Sequence, residues 1–363
     1  MKFIFGMRRL AILVALSACG GDSGTEPAAV ITQYNVIVKA SYASALAGAQ
    51  SLKTAVDAFV AAPSDATLTA ARNAWIASRP AYQQTEAYRF YGGPIDDPDD
   101  DRELRINSWP LDESYIDGLV QGDATLDKQL LIDANFQNGE TNVSTGYHAI
   151  EFLLWGGDES ASGPGNRPFT DYTAEQDAVR RGQYLTLAAE LLVDDLGFVA
   201  SRWDASYPTE LLTVPSNEAL RRILTGIGAL ASAELSGERM QVAYENRDQE
   251  DEHSCFSDNT LNDLFNNAKG IENVYLGRFG SVTGPSLHDL VTAKDQALAD
   301  RLVTEIADAM TAIQAVPPPF DQAILDDANG RPRLLEAIRA VQTVGDSIVD
   351  ASVALGITIN PNP

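Results

Sequence analysis

The sequence predicts an all-α protein built as two helical-bundle lobes, and three observations carry that prediction. Apolar residues recur at steps of three and four along most of the chain. Strict polar–apolar alternation, the mark of a half-buried strand, is missing from it. Proline and glycine divide the periodic stretches into helix-length pieces.

The first stretch places Val38, Tyr42, Ala45, Ala49, Leu52, Val56 and Phe59 on one helical face. Pro63-Ser64-Asp65 ends it and supplies a cap for the next helix. In the C-terminal third, Leu287, Val291, Leu298, Leu302, Ile306 and Ile313 form a stripe that Pro317-Pro318-Pro319 stops. Leu334, Ile338, Val341, Ile348 and Leu355 form the last one. Helical patterns near 177–199, 217–244 and 259–276 lie between. Long helices joined by turns pack as antiparallel bundles. A chain of 363 residues has room for two, expected at 31–205 and 206–363.

The N-terminus reads as a targeting segment. Lys2, Arg8 and Arg9 precede the apolar run 10–16, which is short for a bilayer span. Leu16-Ser17-Ala18-Cys19 then resembles a bacterial lipobox. Residues 1–18 are therefore expected as a signal peptide, Cys19 as a lipid anchor, and 19–30 as a flexible tether. Gly20, rather than aspartate, after the anchor resembles outer-membrane sorting. The expected location is the periplasmic face of the cell envelope, at the outer membrane. With Cys19 used as the anchor, Cys255 has no disulfide partner in the chain, and the fold must rest on its apolar core.

The formal charge is −25, from 26 basic and 51 acidic residues. The leader holds three of the basic residues and no acid, so the mature balance is −28. Such a chain does not bind nucleic acid or an anionic membrane through a basic patch. It is compatible with cations and basic peptides, although solubility alone accounts for the charge. Two long loops stand out, 92–110 and 156–170. The first carries the acidic run 96–101, interrupted only by Pro98. Oxygen ligands suit calcium, but the spacing is that of no known calcium loop, so a solvated acidic turn is expected.

The chemistry concentrates around 148. Ser144 or Thr145 can cap a helix that Gly156-Gly157 ends, and His148, Glu151 and Trp155 share one face of it. Imidazole and carboxylate on a greasy helix need partners, which could be each other, a cation or a substrate. His-x-x-Glu reverses the Glu-x-x-His order of metal-binding bundles, and the His-Glu-x-x-His protease signature does not occur here. Trp75, Arg79, Tyr82 and Glu86 also share a face, as a buried ion pair or a site wall. Asp112 and Glu113 follow Pro110. The run 250–260 holds His253, Cys255 and Asp258; Ser257 or Asp258 can cap the helix near Asn259, and Cys255 reads as a buried structural thiol. His288, beside Asp289 at a helix start, reads as surface.

Together, Ile106–Glu113 with Tyr115-Ile116-Asp117, Gly146–Gly156 and Glu252–Thr260 resemble the imelysin family of bacterial exported proteins, over a span from about residue 31 to the C-terminus. Gly146, His148 and Glu151 match its Gly-x-His-x-x-Glu motif. The resemblance implies two helical lobes with the motif between them, an envelope location and a link to iron. The family is classed among metallopeptidases, and many members are regarded only as iron-regulated or metal-associated. By resemblance His148 and Glu151 are the motif residues and the expected metal ligands. Arg79, Glu86, Asp112, Glu113, Trp155, His253 and Asp258 are inferred around them from local sequence.

Three functions follow. The favoured one is a binding protein that holds a metal ion, iron or zinc with iron first, or a metal-bearing ligand, for envelope metal acquisition. The alternative is a zinc metallopeptidase, for which a third ligand (Glu86, Asp112 or His253) is only guessed and no general base stands out. In the third, the pair is structural and the chain serves an envelope protein partner.

Overall fold

The computed structural model describes residues 25–158, 160 and 163–362. Cys19 and the leader lie outside the described residues. Helix α1, Pro27–Ala61, begins inside the segment expected as tether, because Pro27 starts a helix favourably and Val30 and Ile31 are already buried. Its predicted stripe is wholly buried. Ser64 caps α2, Asp65–Gln83, through a reciprocal pair: its hydroxyl accepts from the Thr67 amide, and Thr67 accepts from the Ser64 amide.

A 3₁₀ turn, Gln84–Tyr88, follows. The acidic run then forms a two-residue hairpin, β1 (Asp96–Asp97) against β2 (Asp100–Asp101). Asp96 does not wait there for a cation: its carboxylate accepts the Phe90 and Gly93 amides and closes the preceding turn. Four short helices follow: α3 (Glu103–Ile106), α4 (Glu113–Gln121), α5 (Lys128–Ala134) and α6 (Gly146–Trp155). Then come α7 (Ala178–Asp204), α8 (Tyr207–Thr213) and α9 (Ser216–Ala229). α9 runs without a break into a π-helical stretch, Leu230–Gln241, and α10, Val242–Asn246.

α11 (Thr260–Tyr275) leads to a second small hairpin, β3 (Arg278–Phe279) and β4 (Val282–Thr283). α12 (Leu287–Thr292), α13 (Gln296–Gln314), α14 (Phe320–Leu325) and α15 (Gly330–Ala354) complete the chain. The stripe read as one helix from Leu287 is thus two. The break lies at Ala293–Asp295, where the Asp295 carboxylate accepts the Leu298 amide and starts α13 afresh. Leu355 falls at the C-cap of α15 and is only half-buried.

α1, α2, α6 and α7 pack together, and α9 with its π stretch, α11, α13 and α15 form a second group. α11 joins the groups by packing on α2 and on the Gln84–Tyr88 turn. Buried apolar side chains run through both as one continuous core. Among the described residues no helix is long and apolar enough to cross a membrane.

Candidate functional site

The motif helix starts on a glycine for a steric reason. Gly146 has φ +86°, and a Cβ there would lie 2.5 Å from the Ile106 carbonyl oxygen and 2.7 Å from that of Arg105. Only glycine lets α6 approach the α3 backbone this closely. The expected hydroxyl cap is not used. Thr145 is the N-cap residue without a side-chain bond, and the Ser144 hydroxyl instead donates to the Leu131 carbonyl. Gly156, at φ +74°, ends the helix as expected.

One turn in, His148 Nδ1 and Glu151 Oε2 are 2.8 Å apart, and both side chains are fully buried. The other oxygen of Glu151 accepts the Ser257 amide at 3.0 Å and the Ser257 hydroxyl at 2.6 Å. Both carboxylate oxygens are therefore engaged inside the protein. Glu151 holds the His148 ring through Nδ1, as a carboxylate behind a histidine does. Burial pushes Glu151 up to about 8, against the pull of Ser257 and Arg79. Burial, with Arg79 and His253 beside it, holds His148 well below its ordinary value, so the imidazole is neutral. Its Nε2 is buried and has no hydrogen-bond partner among the described residues.

His253 faces it edge-on with ring centroids 4.9 Å apart, and Trp109 does the same at 5.1 Å. His253 is backed in turn by Asp263, 3.5 Å from Nδ1, and Asn107 sits 3.3 Å from Nε2. Asp263 also pairs with Arg79, Nη2 to Oδ2 at 2.8 Å, and accepts from Ser254 and Asn259. Burial opposes ionisation of Asp263, but Arg79 and His253 outweigh it and hold the acid far below the carboxylate range. The Arg79 guanidinium lies among the rings of Trp75, Tyr82 and Tyr147 and donates to Asn107 at 2.7 Å.

Arg79 and Glu86 share a helical stripe but not an ion pair. The 3₁₀ turn carries Glu86 away, and it accepts from Arg89 at 2.6 Å and Arg239 at 2.7 Å. Arg239 comes from the π stretch and also donates to Glu234 and Asn267. The arginines that hold Glu86 line a cleft of about 300 Å³ between the helix groups, walled by Arg89, Glu103, Asn107, Trp109, Arg239 and His253. His148 and Glu151 do not open into it. They lie one layer beneath, behind Trp109 and His253.

The remaining expected residues go elsewhere. Asp112 caps α4 by accepting the Ser114 amide at 2.9 Å. The Glu113 carboxylate lies against Gly157. Trp155 turns towards Trp75, 5.4 Å away, with Arg72 over its ring. Ser257 is spent on Glu151, and the Asp258 carboxylate gathers with Glu252 and Asp321, so neither caps α11. Cys255 is buried, and burial with neighbouring acids pushes its thiol up. His288 is half-buried against Tyr275 rather than on open surface. Sequence reasoning missed Asn107, Arg239, Ser257 and Asp263 as partners. The polar residues Asn259, Asp263, Asn266 and Asn267 in and beside an amphipathic helix were the available signal.

Comparison with known proteins agrees with this architecture. Residues 38–348 match the family model described as Imelysin (Peptidase_M75). An iron-regulated protein A of Synechococcus elongatus is 28% identical, covering 95% of this chain and 93% of that protein. Among solved structures, an iron-regulated protein A precursor from Parabacteroides distasonis superposes with a TM-score of 0.75 at 21% identity, covering 93% of this chain and 97% of that one. An imelysin-like protein from Psychrobacter arcticum gives 0.64 at 15%, covering 91% and 95%. With an intact Gly-x-His-x-x-Glu helix and a family match over most of its length, this chain belongs to the imelysin family.

Proposed function

We propose that this protein binds a metal ion, iron first and zinc second, or a metal-bearing ligand, at the wall between its helix groups, as part of metal acquisition in the cell envelope. The observation that carries the reading is the buried His148 Nε2 without a partner, facing His253, on a ring whose other nitrogen a carboxylate holds. A bound cation favours loss of the Glu151 proton; Nδ1 then donates to the carboxylate and Nε2 keeps its lone pair, the arrangement of a metal-binding histidine with a carboxylate behind it. His253, with Asp263 behind its Nδ1, supplies the second imidazole once its Nε2 leaves Asn107. Imidazole nitrogen suits iron and zinc. Access requires Trp109 or His253 to turn aside. The iron-regulated name of the cyanobacterial relative supports iron as the cargo. Lipidation at Cys19 and an outer-membrane position belong to the same reading.

A peptidase needs more than these residues offer. Catalytic zinc takes about three protein ligands and an open water position, with a base nearby. Glu151 is no spare base, since both its oxygens are occupied. The test is calorimetric titration of the purified chain with Fe²⁺ under anaerobic conditions and with Zn²⁺. Binding by wild type and its loss in His148→Ala are expected. No heat with wild type, or equal heat with the variant, removes the proposal.

A further inference from the structure

A second polar cluster, separate from the motif, has the wrong charge balance for a purely structural device. Glu252, Asp258 and Asp321 each bring a carboxylate oxygen within 4.8 Å of the others. Glu252 is fully buried, and neither of its oxygens has a hydrogen-bond partner of normal geometry. One oxygen each of Asp258 and Asp321 is likewise shielded and unpartnered, and the Asp321 side chain is buried. Asp158, also buried, adds a fourth negative group beside them. The charged groups acting on Asp258 are Asp158 and Asp321, and no arginine or lysine is among them. Burial and these like charges push Asp258 up to about 7 and Glu252 well above its ordinary value; the nearby Thr260 hydroxyl offsets only part of this for Glu252.

Like-charged carboxylates buried together without cationic partners are unfavourable unless they are protonated or hold a cation. All three donors here are oxygens, which suit hard divalent ions and not soft ones. Two oxygens on one calcium ion stand at most about 5 Å apart, twice a Ca–O distance of about 2.5 Å. The spacing of this group fits within that limit.

We infer that Glu252, Asp258 and Asp321 form a binding site for a hard divalent cation of the calcium class, which ties the 252–258 segment to α14. The consequence reaches the motif. Glu252 and Asp258 bracket His253, which faces His148, and Ser257, which holds Glu151. A cation here clamps both supports of the motif from behind while taking no part in the imidazole site.

The test uses the whole mature chain, stripped with a chelator and then titrated with Ca²⁺, with Mg²⁺ and Mn²⁺ as comparators, by thermal unfolding and by equilibrium dialysis with ⁴⁵Ca. Wild type binds one ion, and its Tm rises by on the order of 5 °C at a hundredfold excess over Kd. Glu252→Gln and Asp258→Asn lose that rise and, without calcium, melt no lower than wild type, since each replaces a carboxyl that is unfavourable there without a cation. His148→Ala keeps the full rise, which separates this site from the iron site of the proposed function. Stoichiometric absence of ⁴⁵Ca from wild type, with no Tm change from any of the three ions, overturns the inference whatever the variants do. Loss of the response in His148→Ala overturns it too.

Discussion

Two buried polar clusters meet at consecutive residues, His253 and Glu252, and they solve the problem of burying charge in opposite ways. Around His253 the buried groups have partners: Arg79 pairs with Asp263, with His253 behind it, and Glu151 is held by the neutral His148 and by Ser257. Around Glu252 every charge is negative and the key oxygens have no partner. In the first cluster the ring nitrogens without a hydrogen-bond partner are His148 Nε2 and His253 Nδ1, the latter 3.5 Å from Asp263. The second leaves both Glu252 oxygens and one oxygen each of Asp258 and Asp321 without a partner. Completed charge networks hold a fold in one arrangement, whereas an unbalanced one marks a place where stability depends on something bound.

Substitutions can break this contrast from either side. The largest effect is expected from Asp263→Asn, which strands the buried Arg79 guanidinium. A loss of about 3–5 kcal/mol is expected by urea unfolding, the usual cost of removing one partner from a buried pair. A loss under about 1 kcal/mol would mean that the cluster is not matched. Next is Gly146→Ala, whose methyl meets the Ile106 carbonyl at a positive φ. It should destabilise by about 1–3 kcal/mol from backbone strain, with the clash adding to it, and thermal melting reads this directly.

Ser257→Ala tests the orienting role of Glu151. It removes one donor from a buried carboxylate, at about 1–3 kcal/mol. It should also weaken iron binding by about 10–100-fold, as outer-shell changes do. Unchanged affinity would separate Glu151 from the metal. Smaller still is a pH effect at the cleft. Burial opposes ionisation of Glu86, but Arg89 and Arg239 outweigh it and hold the acid at about 2. Its folded value lies below its unfolded one. The stability it contributes is therefore present above the ordinary carboxylate range and is lost as pH falls from about 4.5 towards 2. Glu86→Gln should flatten that limb of an acid-unfolding curve. An unchanged curve would place the acid sensitivity elsewhere.

Much of the fold was legible in the sequence because burial follows periodicity. The stripe from Val38 to Phe59 is buried throughout, and Ser64 caps as its position suggests. Boundaries set by one side chain were not legible. Val291 and Leu298 lie in phase on one stripe, so nothing in their spacing shows that Asp295 restarts a helix between them. The motif was found through His148 and Glu151, but their division of labour was not. A shared helical face says that two side chains are near each other. It does not say that Ser257, more than a hundred residues away, fills the second carboxylate oxygen. Arg79 and Glu86 failed for a related reason, because a 3₁₀ turn between them changes the phase of the stripe. Proximity in sequence groups Asp258 with His253, whereas its carboxylate gathers with those of Glu252 and of Asp321 on α14.

The most direct measurement is elemental analysis after anaerobic dialysis against Fe²⁺, comparing wild type with a His148→Ala/Glu151→Gln double variant that remains folded by circular dichroism. Near-stoichiometric iron in wild type and a trace in the variant are predicted. Equal iron in both, or none in wild type, would contradict the assignment of His148 Nε2 as the metal-binding atom.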